Sequence, residues 1–343
     1  MNANTDSSRA RNPMLSLRAR ALLFKTMAKP RLRRLAWKLG ILRLKSMLNF
    51  KLRKLKCSAL YSRIRCGRSF PMWKSLEVEI HSHCNRDCGW CPRFNDRSGV
   101  RKDESGRSVR IPMPTEKFHE IIDQAAELGY RGRVSLHRLS EALLDRRFVD
   151  LARYVKSKGM KVIEDTNGDV LRKNDMLCSE LDGVVHCFNV GLYDYETEEE
   201  KRRKMGFWLQ RFKKTRITFS LPLEQAFIRQ GSELYADSRI TKVDAALDVE
   251  CFMPVGKFLI RYDGEVSFCC EDDSCSFRIG NAFEHSLEEI WWSPRRIQLA
   301  RQLLEPGGRR AIDYCNTCYN CQGVEYRVRY PNAGKQTAPA PGG

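Results

Sequence analysis

The sequence predicts an α/β fold with a parallel sheet, followed by a cysteine-rich C-terminal region. Short β-prone runs alternate with helical runs between residues 76 and 221, and from residue 251 this alternation gives way to closely spaced cysteines. Alternation of this kind indicates βαβ crossovers, which gather functional residues at the carboxyl ends of parallel strands. At 343 residues the chain is long enough for two domains with a buried core.

The predicted strands and helices follow one another in regular order along the middle of the chain. Short β-like runs predict strands near 76–80, 132–137, 160–165, 184–190 and 215–221. The segments between them predict helices near 115–128, 146–158, 171–179 and 196–212. We expect residues 96–113, which are polar, to form an inserted loop, and the composition of residues 331–343 is typical of a disordered tail.

The first 75 residues carry the whole excess of positive charge. They contain 20 Lys and Arg and one acid, whereas the rest of the chain contains 41 bases and 41 acids. Apolar residues from Trp37 to Leu55 recur every three or four positions, which predicts a basic amphipathic helix. Such an arm could lie on an anionic membrane surface, pack on its own protein, or bind nucleic acid or an acidic partner. A targeting segment is a further alternative.

The composition narrows the class of protein and its compartment. Apolar residues make up 42% and charged residues 30%, and no apolar run of 18 residues occurs, so we expect a globular protein and not an integral membrane protein. The 14 cysteines lie at short intervals that suit a metal centre better than disulfides, and no secretory signal is visible. We therefore expect a cytoplasmic protein, with peripheral contact to a membrane surface through the arm as an alternative.

The first cysteine cluster follows the first predicted strand directly. Cys84, Cys88 and Cys91 form the pattern CxxxCxxC. A cubane iron–sulfur cluster usually takes four thiolates, so three leave one iron with open coordination sites. A structural zinc site that uses His81 or His83 as its fourth ligand is the alternative.

This segment resembles the radical S-adenosylmethionine (SAM) enzymes, because Trp90 supplies the aromatic residue of their CxxxCxφC motif. The resemblance implies a partial (β/α)6 TIM-like barrel in which the three cysteines hold a 4Fe–4S cluster. It further implies that this cluster binds SAM and cleaves it reductively to a 5′-deoxyadenosyl radical, which abstracts a hydrogen atom from the substrate. Trp90 is then part of the cofactor site.

Further landmarks of the family follow in order. Glu141 stands where the family carries Gly-Gly-Glu-Pro, without the glycines and the proline, and the resemblance implies that it binds the SAM amino group; a helix N-terminal acid is the alternative. Residues 166–168 match the family's Thr-Asn-Gly, which is also a simple turn signal. Asn189 occupies a position where the family often contacts SAM. His137 and Glu164 could face the substrate or be buried structural residues.

The C-terminal cysteines resemble the auxiliary-cluster extension called SPASM, or its shorter twitch form. Asp263-Gly264 predicts a hairpin turn that brings Cys251 and Cys269 together, and Gly280-Asn281 leads into a helix with the pattern Leu-x-x-Ile-Trp. The resemblance implies an auxiliary 4Fe–4S cluster with four cysteine ligands, and a zinc ribbon is the alternative. The expected ligands are Cys251, Cys269, Cys315 and Cys318, with Cys321, Cys270 and Cys275 as alternates.

These patterns divide the chain into four parts and favour one function. We expect a basic arm at 1–75, a radical SAM partial barrel at 76–250, an auxiliary-cluster domain at 251–323 and a tail at 324–343. The resemblance implies a radical SAM oxidoreductase that oxidises a small molecule such as a sugar or an aminocyclitol, supplied with electrons by flavodoxin or ferredoxin. A maturase of ribosomal peptides and a zinc-bearing nucleic-acid-binding protein are the alternatives. No motif identifies the catalytic base.

Overall fold

The computed structural model describes residues 72–86, 88, 91, 109–220, 251, 253–272, 275 and 277–316. The predicted tail, most of the polar loop at 96–113 and all but the last four residues of the predicted basic arm at 1–75 lie outside these ranges, as do Trp90, Cys318 and Cys321. The end of the predicted arm belongs to the sheet, because β1 begins at Ser75. Within the described ranges, no helix combines the length and the apolarity that crossing a membrane requires.

An eight-stranded sheet forms the centre of the described chain, in the order β5-β4-β3-β2-β1-β6-β7-β8. The first six strands along the chain run parallel to one another, and β7 and β8 continue the sheet antiparallel. The predicted α/β class with a parallel sheet is therefore confirmed. The strands are β1 Ser75–Val78, β2 Arg133–Ser135, β3 Lys161–Thr166, β4 Cys187–Gly191, β5 Arg216–Ser220, β6 Lys257–Ile260, β7 Glu265–Ser267 and β8 Arg278–Asn281.

The helices connect the strands and supply much of the buried apolar surface. The α-helices are α1 Thr115–Glu127, α2 Phe148–Ser157, α3 Asp169–Arg172, α4 Asp175–Leu181, α5 Glu198–Arg211, α6 Met253–Gly256, α7 Leu287–Trp291, α8 Pro294–Leu304 and α9 Asp313–Asn316, and short 3-10 helices lie at Ala142–Leu144 and Gly308–Ala311. One predicted helix, at 171–179, is replaced by α3 and α4. Asn174 accepts a hydrogen bond from the backbone of Leu177 (2.9 Å), so its side chain starts a new helix there.

The two faces of the parallel strands differ in polarity. Leu76, Val134 and Val162 stand in register on neighbouring strands and are buried in the apolar core. The residues between them point the other way, because side chains alternate along a strand. On that side Asp165, Asn189 and Thr218 lie in register across β3, β4 and β5, at the carboxyl half of the strands. We call this side the polar face.

The sheet continues past the predicted domain boundary at residue 251. The strand β6 pairs in parallel with β1, and its hairpin with β7 turns at the predicted Asp263-Gly264. Gly264 has a φ of +83°, and a Cβ at this position would stand 2.4 Å from Oδ1 of Asn281. The C-terminal region is thus an extension of the same sheet.

The helix predicted after Gly280-Asn281 packs this extension of the sheet against the apolar core. The helix α7 begins with a capping box between Ser286 and Glu289. Its Trp291 is fully buried, and the ring packs 5.2 Å from Trp73 and 5.3 Å from Phe258, measured between centroids. These aromatic contacts join the C-terminal region to the start of β1 and to β6.

Candidate active site and cluster-binding loops

The loop that carries Cys84, Cys88 and Cys91 leaves β1 at its carboxyl end. Near its start, His81 is fully buried, with Nε2 3.1 Å from the carbonyl of Glu141 and Nδ1 accepting from the backbone of His83 (3.0 Å). Burial lowers the pKa of His81 to about 4. Both ring nitrogens are therefore occupied within the protein, which disfavours His81 as the fourth ligand of a zinc site.

Charged and amide side chains tie this loop to the turn after β3. Arg86 donates through Nε and Nη2 to the two carboxylate oxygens of Asp169, each at 2.7 Å. Asn85 donates to Asp169 (3.0 Å) and accepts from Asn167 (2.8 Å). A hydrogen bond from the Cys91 backbone to the Cys88 carbonyl (2.8 Å) turns the end of the loop. The bidentate pair sets the direction of the loop, because a guanidinium and a carboxylate fit in one plane.

Glu141 and the Thr-Asn-Gly turn form one hydrogen-bonded unit beside this loop. Glu141 is 3% exposed and accepts from the hydroxyl of Thr166 (2.8 Å) and the backbone of Asn167 (2.7 Å). Burial raises the pKa of Glu141 to about 7, against the effect of these two bonds. Gly168 ends the turn with a φ of +79°. Glu141 begins a 3-10 helix, but its side chain does not cap that helix; contact with SAM stays a prediction.

The other predicted residues near the strand ends belong to a polar network. Asn189 donates to Ser220 (2.6 Å) and accepts from Thr218 (3.2 Å) on the polar face. His137 Nδ1 lies 2.6 Å from the fully buried carboxylate of Glu164. Burial favours the neutral ring, but the carboxylates of Glu164 and Asp165 raise the pKa of His137 well above its usual value. Glu164 is thus a buried partner of His137.

A cavity of about 280 Å³ opens next to the cysteine loop. It lies between that loop, the turn after β3 and α5, and its lining combines apolar, basic and acidic side chains, the acidic ones being Asp169 and Asp194. Its lining includes Arg86, Arg172, Arg203, Lys204 and Trp208. This cavity was not predicted from the sequence, although the run Lys-Arg-Arg-Lys at 201–204 was a signal that could have marked it.

The described C-terminal cysteines interact with one another across the hairpin. A hydrogen bond with Cys270, burial and the charge of Cys251 raise the pKa of Cys269 well above its usual range. Burial and Cys251 raise the pKa of Cys315 to about 12. Such thiols ionise when a metal supplies positive charge, so their chemistry fits an iron–sulfur cluster.

The full ligand set extends beyond the described residues. Within the described ranges, no three His, Cys, Asp or Glu side chains stand close enough together to hold a metal ion as they are. The predicted fourth auxiliary ligand, Cys318, and its alternate Cys321 lie outside those ranges. The complete set of ligands therefore stays a prediction.

Two buried arginines near these cysteines were not predicted from the sequence. Arg138 follows β2 and is 8% exposed, and Arg309 is 1% exposed in the second 3-10 helix. Arg138 donates to the Ser267 hydroxyl (3.2 Å) and to the backbone carbonyl of Asp272, both in the segment that carries Cys269. No pattern in the sequence marks either residue, because their burial depends on the packing of the C-terminal region on the sheet.

Comparison with known proteins agrees with the resemblance predicted from the sequence. The SPASM iron–sulfur cluster-binding domain matches residues 251–322. The chain is 24% identical over 263 residues to an S-adenosyl-L-methionine-dependent 2-deoxy-scyllo-inosamine dehydrogenase of Niallia circulans, covering 73% of this chain and 94% of that protein. The SPASM match confirms the predicted auxiliary-cluster domain.

Solved structures agree with the fold. The crystal structure of BtrN in complex with AdoMet and 2-DOIA superposes with a TM-score of 0.58 at 21% identity, covering 74% of this chain and 95% of that one. An open conformation of BtrN gives a TM-score of 0.52 at 21% identity, covering 74% and 94%. Together with the CxxxCxxC loop at the end of β1, these findings confirm the predicted resemblance to radical SAM enzymes that carry a C-terminal SPASM domain.

Proposed function

We propose that this protein is a radical SAM dehydrogenase of a small polyhydroxylated molecule, of the sugar or aminocyclitol class. One observation carries the proposal: the three-cysteine loop after β1 and the SPASM region share one sheet, joined through β6. Similarity to the inosamine dehydrogenase over 94% of its length supports the same reaction class. Oxidation of an alcohol to a ketone removes one hydrogen atom, one electron and one proton. Bound SAM would supply the radical chemistry that removes the hydrogen atom, an auxiliary cluster would accept the electron, and a basic group would accept the hydroxyl proton.

The first loop and its neighbours would hold the SAM-binding cluster. We assign the cluster to Cys84, Cys88 and Cys91, which all lie in the loop at the carboxyl end of β1. Glu141 and Asn189 are proposed SAM contacts because both lie near the strand ends beside the loop, and Trp90 is proposed from the motif alone. The Arg86–Asp169 pair holds the loop in place for this role.

The auxiliary cluster is assigned to the SPASM region. We propose Cys251, Cys269, Cys315 and Cys318 as its ligands, with Cys270, Cys275 and Cys321 as alternates. Four thiolates complete the coordination of a cubane, so such a cluster exchanges electrons without binding SAM.

The polar face offers the groups that a polyhydroxylated substrate needs. Asp165, Asn189, Thr218 and Ser220 present carboxylate, amide and hydroxyl groups at the carboxyl half of the strands. Hydroxyl groups of a sugar-like ring donate to and accept from such side chains. This arrangement supports a small-molecule substrate.

The cavity beside the cysteine loop suits an acidic reductant. Four basic side chains (Arg86, Arg172, Arg203 and Lys204) and two carboxylates (Asp169 and Asp194) line it, so positive charge is in excess. We propose that a flavodoxin or ferredoxin, which is acidic, docks here, because opposite charges favour encounter at a short distance from the cluster. We propose that the chain consists of a basic arm at 1–75, a radical SAM barrel at 76–250, an auxiliary-cluster domain at 251–323 and a tail at 324–343. The basic arm is proposed to contact a membrane surface or an acidic partner.

Anaerobic reconstitution followed by a product assay tests the function. The protein is loaded with iron and sulfide and incubated with SAM, dithionite and 2-deoxy-scyllo-inosamine. We expect about eight irons per chain, 5′-deoxyadenosine and the ketone of the cyclitol. Deoxyadenosine without the ketone would contradict this substrate and direct the search to other sugars and to peptides. A loaded protein without deoxyadenosine would refute the radical SAM assignment, and zinc in place of iron would favour the nucleic-acid-binding alternative.

A further inference from the structure

Arg138 links the parallel-strand half of the sheet to the segment that carries Cys269. Its Nη2 donates to the Ser267 hydroxyl (3.2 Å) and to the Asp272 carbonyl. The Ser267 hydroxyl in turn donates to the carbonyl of Cys269 (2.9 Å). The guanidinium is therefore built into the support of a proposed auxiliary-cluster ligand, although it comes from the end of β2.

The remaining nitrogens of Arg138 have no partner within the described protein. Nε and Nη1 are buried and make no hydrogen bond there. The carboxylate of the nearby Asp272 accepts instead from the Phe277 backbone (2.8 Å). Burying a charge with unsatisfied donors is costly. Such an arrangement is expected where the donors face a negatively charged group that is bound in the working protein.

We infer that Arg138 is a positioning residue that raises the reduction potential of the auxiliary cluster. A cubane with four thiolate ligands is an anion and gains a further negative charge when it accepts one electron. Buried positive charge and N–H groups directed at its sulfurs favour the reduced state. Arg138 follows β2, in the part of the sheet that carries the proposed SAM site. A residue from that part of the sheet therefore raises the reduction potential of the auxiliary cluster. The inference rests on the auxiliary cluster of the proposed function and not on its substrate.

A potentiometric titration tests this role directly. The full chain with Cys84, Cys88 and Cys91 changed to Ala, which retains the auxiliary site alone, is reconstituted and titrated with dithionite while the reduced cluster is followed by electron paramagnetic resonance. At fixed potential we expect Arg138→Gln to lower the ratio of reduced to oxidised cluster at least tenfold, about 59 mV for a one-electron couple. Arg138→Lys keeps the charge and is expected to shift the ratio less than tenfold.

The controls separate tuning from folding. Arg153→Gln removes an exposed arginine that pairs with Glu180 (2.9 Å) on another surface, and its potential should equal that of the parent. An Arg138→Gln protein with four irons and an unchanged potential would overturn the inference and leave the dehydrogenase proposal standing. If the Arg138→Gln protein does not bind iron, the Arg138→Lys protein decides. A change of tenfold or more in its ratio of reduced to oxidised cluster would overturn the inference. Failure of both to load would also overturn it, because the arginine would then be needed for assembly. If the parent protein, with Arg138 unchanged, binds no auxiliary cluster, the proposed function itself is contradicted.

Discussion

The loop after β1 and the β6–β7 hairpin both carry proposed cluster ligands, but they hold their cysteines differently. In the loop, three cysteines lie within residues 84–91, and polar contacts such as Arg86–Asp169 orient the backbone between them. In the C-terminal region, Cys251, Cys269 and Cys315 are far apart in sequence; Cys269 follows the hairpin, and the Cys251 backbone donates to Leu303 of α8. The first site therefore depends on charged contacts within and beside one loop, and the second on the packing of segments that are distant in the chain.

The largest expected effect separates the two sites completely. Changing Cys84, Cys88 and Cys91 together to Ala should abolish 5′-deoxyadenosine formation, because SAM cleavage requires the cluster with an open iron site. The auxiliary site should keep about four irons per chain. Iron analysis and chromatography of the nucleoside products measure both.

A matched control uses a cysteine outside both sites. Cys178 is buried in α4 and donates to the Leu171 carbonyl, so Cys178→Ala should keep both clusters and the activity. Deoxyadenosine produced by the triple variant would show that the loop is not the SAM site.

The hairpin should be the more sensitive region to added volume. Gly264→Ala places a Cβ 2.4 Å from Asn281 Oδ1 and 2.6 Å from Phe283 at a φ of +83°. We expect a loss of about 2–4 kcal/mol in the free energy of unfolding, from backbone strain together with the clash. The auxiliary cluster should be lost before the SAM cluster, as measured by denaturant titration and iron per chain.

Two other glycines separate the contribution of backbone strain from that of the steric clash at Gly264. Gly129 has a φ of +80° with open space around it, so Gly129→Ala should cost only the strain, about 1 kcal/mol. Gly256 has neither a positive φ nor a close neighbour, so Gly256→Ala should be nearly neutral. Equal losses at Gly264 and Gly129 would show that the close packing on Asn281 and Phe283 does not matter.

The support of the first loop should depend on pH. Because burial raises the pKa of Glu141 to about 7, the folded state prefers the protonated carboxyl, and stability is lost as the pH rises from about 4.5 through 7. The loss should be on the order of 3–4 kcal/mol, since a tenfold change in proton affinity corresponds to about 1.4 kcal/mol. Glu141→Gln should remove this dependence, as measured by urea unfolding of the iron-free protein between pH 5 and 8.

The exposed Glu120 provides the comparison for this variant. It pairs with Lys117 on α1 at the surface, so Glu120→Gln should leave the pH dependence of unfolding unchanged. A Glu141→Gln protein with the same pH dependence as the parent would show that Glu141 is not the titrating group.

The smallest effect is expected at the ion pair that orients the first loop. Asp169→Asn removes one charge from the bidentate contact with Arg86, and both side chains are about one-fifth exposed. We expect a loss of about 1 kcal/mol, reduced by added salt, together with weaker loading of the SAM cluster. Asp150→Asn, at a surface contact with Arg153 (3.5 Å), is the control. An Asp169→Asn protein that loads iron like the parent would show that the pair does not set the loop.

Local patterns were the part of the fold and site that could be predicted. Alternation along the chain predicted five strands, and the CxxxCxxC spacing marked the loop after β1 as a metal-binding candidate, since both depend on neighbouring residues. The Asp263-Gly264 turn was predicted for the same reason. The break between α3 and α4 was missed, because a cap by Asn174 competes with the apolar pattern around it.

The sequence by itself determined the α/β class, the three-cysteine loop after the first strand and a cysteine-rich C-terminal region, because spacing and periodicity are properties of adjacent residues. The resemblance to radical SAM enzymes with a SPASM domain added the predicted roles of the two cysteine sets. Only the tertiary structure decided that β6 extends the parallel sheet beside β1, and that Glu141 binds the turn after β3. It also decided that the buried Arg138 reaches the segment carrying Cys269. The physical reason is that strand neighbours, burial and the partners of a buried charge depend on residues far apart in the chain, which only packing brings together.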